Sequence, residues 1–480
     1  MGWFDAPDYE FARQVLQRGV AAIYVIAFVS SLNQFRALLG EHGLLPVPDF
    51  VPMLKRAPGR HRGFSLFRWR YSDRLLAAVC WLGILLAASV VLGLPQLGQP
   101  WVPVLVFLLI WLLYMSIVTV GQTFYGFGWE MLLLEAGFTV GFLGSNQVPP
   151  PTWMIFLVAW LVFRLEFGAG MIKIRGGSEW RDLTALYFHH ETQPMPGPLS
   201  RQAHLLPRWM HRGEVLGNHF AQLIVPFLLF APQPIASVAA AIVILTQLWL
   251  VITGNFAWLN WITIVLAFAR ISDPVVHAVL PFIPEDWSAE AATSPSWWVA
   301  IVGLVSALLV VLSWWPLKNL FARRQLMNAS FNRWQLVNAY GAFGTVTRQR
   351  VEVVIEASQD EDLIAAEWHE YEFKGKPGDV RRIPRQWAPY HLRLDWLMWF
   401  LPLGTVHEQW FYALLEKLLL ADAATLRLLR LAPFGTDPPR YIRVRTYVYR
   451  FSTRAELRES GDRWVRDPLS VVIGPVALGR

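Results

Sequence analysis

The most visible pattern in the chain is a series of apolar runs, each about as long as a helix that crosses a lipid bilayer. A span needs about 20 mainly apolar residues, and in lipid only helices or closed barrels satisfy the backbone polar groups. We therefore predict a mainly α-helical, polytopic membrane bundle with about nine spans, or seven or eight if a short run does not cross. The fourth run is the short one, and it is either re-entrant or buried among its neighbours. The candidate spans are Gly19–Leu39, Leu75–Leu94, Trp101–Val120, Met131–Leu143, Trp153–Ile172, Val215–Ala231, Ala236–Thr253, Phe256–Ile271 and Trp297–Trp315.

The pattern changes after Pro316, where the chain becomes charged and no further spanning run occurs. Side chains alternate along three short segments rich in β-branched and aromatic residues, which is typical of strands. We predict that residues 1–316 form the bundle and that residues 317–480 form a C-terminal extramembrane α+β domain. The predicted strands are Val351–Glu356, Trp368–Phe373 and Tyr441–Phe451, and an amphipathic helix is predicted over His407–Leu420.

One polar segment interrupts the apolar runs, and we call residues 173–214 the polar insert. It is basic, aromatic and rich in proline. A loop of this length is usually functional or disordered, and its aromatic content argues against disorder. We predict an ordered cap at the membrane surface, in which the notable side chains either contact a client or substrate or only cap a helix and fix the loop. The candidate contact residues are Trp180, Arg181, Asp182, His189, His190, Glu191 and Pro194.

Composition supports the membrane assignment. The chain has 480 residues, of which 55% are hydrophobic and only 16% charged, whereas globular proteins average about a quarter charged residues. The net charge of +7 is accounted for by basic loops beside anionic lipid headgroups, so membrane lipids are expected partners and nucleic acid is not. The single cysteine, Cys80, rules out an intramolecular disulfide and a CxxC redox motif.

Among the ionisable residues in or directly beside the apolar runs we single out Glu130, Glu135, Arg164 and Glu166. Such residues are costly in a membrane and are candidates for function. Arg164 and Glu166 are two positions apart and point to different helix faces, so they need other partners. An ion pair from Arg164 to Glu130 or Glu135 that fixes the bundle is one interpretation, and a substrate or proton site is the other.

Motifs for catalysis and cofactors are missing from the sequence. His189, His190 and Glu191, with His204 and His211 further along the chain, suggest a metal site. Adjacent histidines point apart on a helix, however, and no HExxH motif occurs, so we predict no metal there. There is no GxSxG nucleophile motif and no phosphate-binding GxxxxGK[ST] motif. We assign no catalytic residue and no cofactor, which favours a non-enzymatic role without deciding it.

Six long strings carry further information. They are GSEWRDLTALYFHHETQPMPGPLS at Gly177–Ser200, GAGMIKIRGG at Gly168–Gly177, GNFAWLNWITIVLAFA at Gly254–Ala269, NRWQLVNAYGAFGTVT at Asn332–Thr347, EYEFKGKPGDVRR at Glu370–Arg382 and RLDWLMWF at Arg393–Phe400. These strings resemble the lipase maturation factor family. The resemblance implies an integral membrane protein, in the endoplasmic reticulum of animals, that helps secretory lipases fold and assemble. A secretory lipase or another exported client is then the expected partner, and a bacterial source would place the protein in the plasma membrane.

Two questions stay open at this stage. The bundle followed by an α+β domain is also distantly similar to the vitamin K-dependent carboxylases, so the alternative function is a membrane-embedded enzyme acting on a lipid or quinone-like substrate. The orientation is also contested, because basic residues favour the cytoplasmic side for the polar insert. The family resemblance implies the lumenal side, where secretory lipases fold, and we follow the resemblance.

Overall fold

The computed structural model describes residues 3–56, 63–283, 293–404 and 407–478. The basic loop between the first two predicted spans is thus described only in part, because residues 57–62 lie outside these ranges. Helices dominate the chain up to residue 320. They are α1 Glu10–Leu39, α2 Val47–Arg56, α3 Asp73–Val91, α4 Trp101–Val120, α5 Gly128–Gly141, α6 Thr152–Arg175, α7 Ser178–Arg181, α8 Leu186–Thr192, α9 Ser200–His204, α10 Arg208–Leu223, α11 Val225–Leu228, α12 Ile235–Thr253, α13 Leu259–Ala267, α14 Asp273–Val279, α15 Ser296–Leu312 and α16 Trp314–Leu320.

Six stretches of helix in the described residues are long and apolar enough to cross a membrane. A seventh span results if two helices that meet at a bend of 108° are counted as one. The six are Pro7–Leu39, Asp73–Val91, Trp101–Val120, Thr152–Arg175, Ile235–Thr253 and Ser296–Leu320, and the bent pair is Leu259–Arg270 with Asp273–Val279.

The expected count of about nine spans is therefore not confirmed, and three of the predicted runs account for the difference. The run at residues 131–143 lies in α5, whose 14 residues extend only about 21 Å. The run at residues 215–231 is divided between α10 and α11 at Ile224, two residues before Pro226, because proline has no N–H to continue the helical hydrogen bonds. The run at residues 256–271 becomes α13 and a short 3₁₀ turn.

The short helix α5 lies at the centre of the bundle. It packs against α1, α4, α6 and α13, and most of its side chains are buried. Because protein rather than lipid surrounds α5, the helix does not need the length of a lipid-facing span. This position brings the carboxylates of Glu130 and Glu135 into the interior, where both are almost fully buried.

The part of the chain after residue 320 contains a small antiparallel sheet with strand order β2-β1-β3-β4. The strand β3 has the predicted bounds, and α18 nearly has the predicted bounds of its helix. The last strand was not predicted because Pro468 and Pro475 interrupt it, and prolines of this kind are tolerated on a sheet edge. The elements are β1 Arg350–Ser358, β2 His369–Glu370, α17 Arg393–Phe400, α18 Gln409–Leu419, α19 Ala423–Leu426, β3 Tyr441–Phe451, α20 Arg454–Ser460 and β4 Trp464–Val476.

Candidate functional site

The polar insert is folded along its whole length. Its helices are α7, α8, α9 and the first part of α10. The chain between α8 and α9 is tied to the end of α12: Gln193 Nε2 and Ser200 Oγ both donate to the carbonyl of Thr253, at 2.8 and 2.6 Å. The backbone N–H of Asn255 donates to the carbonyl of Met195 at 3.1 Å. The bundle therefore fixes one side of the insert.

The sheet fixes the other side through Arg350, a buried residue at the start of β1. Its guanidinium donates to the carbonyls of Glu191 and Gln193 at 2.9 and 2.5 Å, and it pairs with the Glu352 carboxylate at 2.5 Å. In return, the Glu191 carboxylate accepts from the backbone N–H of Phe451 at 2.6 Å. The insert is thus clamped between the bundle and the β-sheet.

Burial divides the seven contact candidates of the insert. Side chains that the fold covers cannot touch another macromolecule without rearrangement, whereas exposed ones can. Trp180, His189, His190 and Pro194 are buried, Glu191 is half-buried, and Arg181 and Asp182 are exposed. The exposed end of α7 is therefore the part of the candidate set that is open to a partner.

Trp180 acts as an anchor of the insert. Its indole N–H donates to the carbonyl of Phe343 at 2.8 Å, and the Lys173 ammonium lies 4.5 Å from the centre of its ring, within the range of a cation–π contact. His219 Nε2 lies 3.0 Å from the Trp180 carbonyl. These contacts join α7 to α6, to α10 and to the segment that follows the last span.

His189 is held as a neutral ring in an aromatic cluster. Its ring centre lies 6.2 Å from that of Phe256 and 5.5 Å from that of Phe343. Burial lowers its pKa to about 3, with a further contribution from His190, so the ring is uncharged at physiological pH. This environment suits packing and gives His189 no direct route to a client.

Inside the bundle, Arg164 pairs with Glu135 in a buried contact between α6 and α5. The Glu135 carboxylate also accepts from the Tyr340 hydroxyl at 2.8 Å and from the backbone N–H of Asn338 at 2.9 Å. Arg164 in turn donates to the carbonyl of Asn338 at 2.7 Å. The ion pair is thus hydrogen-bonded on both sides, and it holds residues 338–340 against the bundle.

Glu130 has a partner that the sequence analysis missed. Arg393, at the start of α17, donates to the Glu130 carboxylate at 2.6 Å, and Tyr114 also donates to it. The guanidinium carbon lies 3.5 Å from the centre of the Tyr125 ring. The sequence does contain a signal for this pairing. Arg393 begins the apolar string RLDWLMWF, and an arginine buried in such a segment needs a carboxylate partner.

Glu166 is surrounded by amides. Gln222 and Gln247 donate to its carboxylate at 3.1 and 2.6 Å. Lys173 Nζ donates to the other end of the Gln222 amide at 2.8 Å, and Asn260 donates to Gln247 at 2.6 Å. This network links α6, α10, α12 and α13 through the side-chain amides of Gln222, Gln247 and Asn260.

A further cluster joins α8 to the first turns of α10 within the insert. One ligand-type atom each from His190, His211 and Glu214 lies within 4.8 Å of the others. The sequence pattern includes His190 and His211 among the histidines of a possible metal site, but no motif points to Glu214. In the part of the chain that the structure describes, these three side chains form a group that could hold a metal ion.

Fold and insert together define the class: an integral membrane protein with a multi-helix bundle, an ordered polar insert and a C-terminal antiparallel sheet. Residues 11–278 match the family model described as the lipase maturation factor transmembrane domain. Residues 336–473 match the model described as the lipase maturation factor C-terminal domain. The chain belongs to the lipase maturation factor family, as the resemblance predicted.

Individual relatives agree over nearly the full chain. The chain is 37% identical to lipase maturation factor 1 of Bos taurus over 98% of its own length and 90% of that protein. It is 37% identical to lipase maturation factor 1 of Homo sapiens over 97% of its length and 88% of that protein. Lipase maturation factor 2 of Homo sapiens is 29% identical over 97% of the chain and 83% of that protein. No solved structure matches the chain.

Proposed function

We propose that this protein assists the folding and assembly of secreted lipases, or of other exported proteins, without catalysing a reaction. The observation that carries the proposal is the match to lipase maturation factor 1 at 37% identity over 98% of the chain. The name of that relative describes its role, and the coverage includes the bundle, the insert and the sheet. A shared role is the simplest consequence of a shared architecture along the whole chain.

The geometry supports a docking role for the exposed end of α7. Arg181 and Asp182 are open to solvent, while the buried Trp180 beside them is fixed by its hydrogen bond to Phe343. A surface that is already ordered loses little conformational entropy when a partner binds. The proposed client contact is therefore this end of α7, presented on a frame that the bundle and the sheet hold in place.

We further propose the placement of the parts relative to the membrane. Residues 1–316 form the embedded portion, with the polar insert at its surface, and residues 317–480 lie outside the lipid on the same side as the insert. The contacts of Arg350 with Glu191 and Gln193 support a common side. A client in the secretory pathway requires the lumenal side of the endoplasmic reticulum, or the outer side of the plasma membrane in a bacterium.

The enzyme alternative gains no support from the arrangement of the buried charges. Glu130 is paired with Arg393 and Glu135 with Arg164, and Glu166 accepts hydrogen bonds from two amides. A cavity of about 360 Å³ does occur among the described residues, but Tyr9, Phe156 and Arg270 are among its lining residues and none of these three carboxylates is. No observation favours a carboxylase-like reaction.

Co-expression tests the proposed function. A secreted lipase is produced in cells that lack a maturation factor, with and without this protein, and its specific activity and dimer yield are measured. We expect both to rise with the wild-type protein and to fall back with an Arg181→Ala/Asp182→Ala variant. The matched control is Arg458→Ala/Glu459→Ala, which removes an equally exposed basic and acidic pair on α20. Equal lipase activity and dimer yield with and without the protein would overturn the proposal.

A further inference from the structure

Three potential metal ligands converge within the polar insert, where α8 packs against the first turns of α10. His190 is on α8, and His211 and Glu214 are both on α10. Positions three apart lie on the same face of a helix, so α10 presents its two side chains together toward α8. A ligand-type atom from each of the three residues lies within 4.8 Å of the other two.

Three of the four ring nitrogens of His190 and His211 lack a hydrogen-bond partner in the part of the chain that the structure describes. Among the described residues, neither ring nitrogen of His190 has a hydrogen-bond partner, nor does Nδ1 of His211, and all three atoms are buried. His190 is 1% exposed and His211 2% exposed. Buried polar atoms in folded proteins nearly always have a partner, so the orphaned Nε2 of His190, which faces the Glu214 carboxylate, points to a missing ligand.

His190 and Glu214 lie too far apart for a hydrogen bond and close to the separation of two metal ligands. His190 Nε2 is 3.9 Å from Glu214 Oε1, which exceeds the usual range for a hydrogen bond. Two ligand atoms of a tetrahedral zinc ion, each about 2.1 Å from the metal, are about 3.4 Å apart. A small rotation of either side chain would therefore bring both atoms to coordination distance.

Other groups orient the ligands in the way that metal sites require. His211 Nε2 lies 3.2 Å from the carbonyl of His204, so a proton on Nε2 leaves the lone pair of Nδ1 free. The indole N–H of Trp249 donates to Glu214 Oε1 at 2.5 Å and holds the carboxylate in place. Backbone carbonyls and hydrogen-bond donors commonly perform these two roles around bound metals.

We propose that His190, His211 and Glu214 bind one divalent cation of the zinc class, with a water molecule in the fourth position. Two imidazoles and one carboxylate favour zinc and similar transition metals over magnesium or calcium, which prefer oxygen ligands. The cation fastens α8 to α10, which packs against α6, and so supports the insert beside its attachments to α12 and to the sheet. This site goes beyond the proposed function, and its failure would leave that function intact.

Metal content tests the site. The full-length protein is purified in detergent, stripped with a chelator, incubated with Zn²⁺ and desalted, and its zinc is measured by mass spectrometry. We expect about one zinc ion per chain for the wild type and at least roughly tenfold less for His211→Gln and Glu214→Gln. The His211→Gln side chain can keep the hydrogen bond to the His204 carbonyl while it removes Nδ1. The control is His42→Gln at an exposed position, which should bind zinc like the wild type.

A second measurement needs no variant. X-ray absorption at the zinc edge of the loaded wild-type protein should show nitrogen and oxygen neighbours at about 2.0–2.1 Å and the scattering of two imidazole rings. A wild type that retains no zinc would overturn the proposal. So would full zinc binding by both ligand variants, or a spectrum without imidazole, and the spectrum decides the matter if the variants do not fold.

Discussion

The clearest quantitative prediction concerns Arg350, whose guanidinium holds the polar insert against the sheet. It donates to the carbonyls of Glu191, Gln193 and Pro194, at 2.9, 2.5 and 3.3 Å, and it is paired with Glu352 at 2.5 Å. Replacement by methionine keeps most of the side-chain volume but removes every one of these contacts. The carbonyls of the insert then lose their donor in a buried position.

The free-energy cost of Arg350→Met follows from the burial of these contacts. A hydrogen bond to a charged group contributes about 1.5–3 kcal/mol, and removal of one member of a buried ion pair costs about 3–5 kcal/mol. These terms overlap, and Glu352 keeps Lys376 at 2.7 Å, so we take the lower limit of about 3 kcal/mol. A loss of this size in the free energy of local opening increases the open population about a hundredfold.

Hydrogen–deuterium exchange of the purified protein measures that population. Backbone amides of residues 186–204 should exchange about a hundredfold faster in Arg350→Met than in the wild type. The matched control is Arg348→Met, because Arg348 also pairs with the insert, at 3.1 Å from Glu179, but its side chain is 69% exposed. An exposed pair contributes at most about 1 kcal/mol, so we expect no more than about a fivefold change there. Similar exchange rates in the two variants would refute the argument from burial.

Three further predictions concern the bundle and the insert. Arg164→Met should lower the yield of folded protein, measured by size-exclusion chromatography, because it leaves the Glu135 carboxylate buried without its partner at a cost of about 3–5 kcal/mol. Adding Glu135→Gln to the same chain should restore part of that yield. The pKa of His189 in the folded protein, about 3, lies below the unfolded value of about 6.5. Because the unfolded state takes up the proton first, the free energy of unfolding should fall as the pH drops below about 6.5, by up to about 1.4 kcal/mol per pH unit. The apparent Tm of His189→Phe should therefore depend less steeply on pH than that of the wild type, and an unchanged slope would contradict this. Gly168→Ala should lower the apparent Tm, because the new Cβ would lie 2.5 Å from a backbone carbonyl oxygen, whereas Gly303→Ala, with open space around it, should not.

Sequence patterns predicted local elements well where one physical signal dominated. Alternation of buried and exposed side chains located β3 at Tyr441–Phe451 with its observed bounds, and the length of the apolar runs located the long spans. The length of the apolar run did not identify α5 correctly, because an apolar run has the same sequence pattern whether lipid or protein surrounds the helix. The sequence pattern failed again for β4, where prolines conceal an edge strand.

The candidate site shows a different limit. Residue type identified Trp180 and the histidines as notable, but it could not distinguish a buried anchor from an exposed contact. The partners of Glu130 and Glu135 come from Arg393 and Arg164, which are 263 and 29 positions away in the chain. Charge type alone suggests Arg164 as a partner of Glu130 or Glu135, but which carboxylate it meets, and that Arg393 takes the other, depends on how the segments pack.

The central claim is that the exposed end of α7 touches a client protein while the rest of the insert supports it. Site-specific photo-crosslinking in native membranes tests this claim most directly, with a photoreactive residue at position 182 or, as the buried control, at position 189. We expect an adduct with a co-expressed secreted lipase from Asp182, which is exposed, and none from His189, which is buried. The absence of any lipase adduct at position 182, or equal adducts at both positions, would contradict the account.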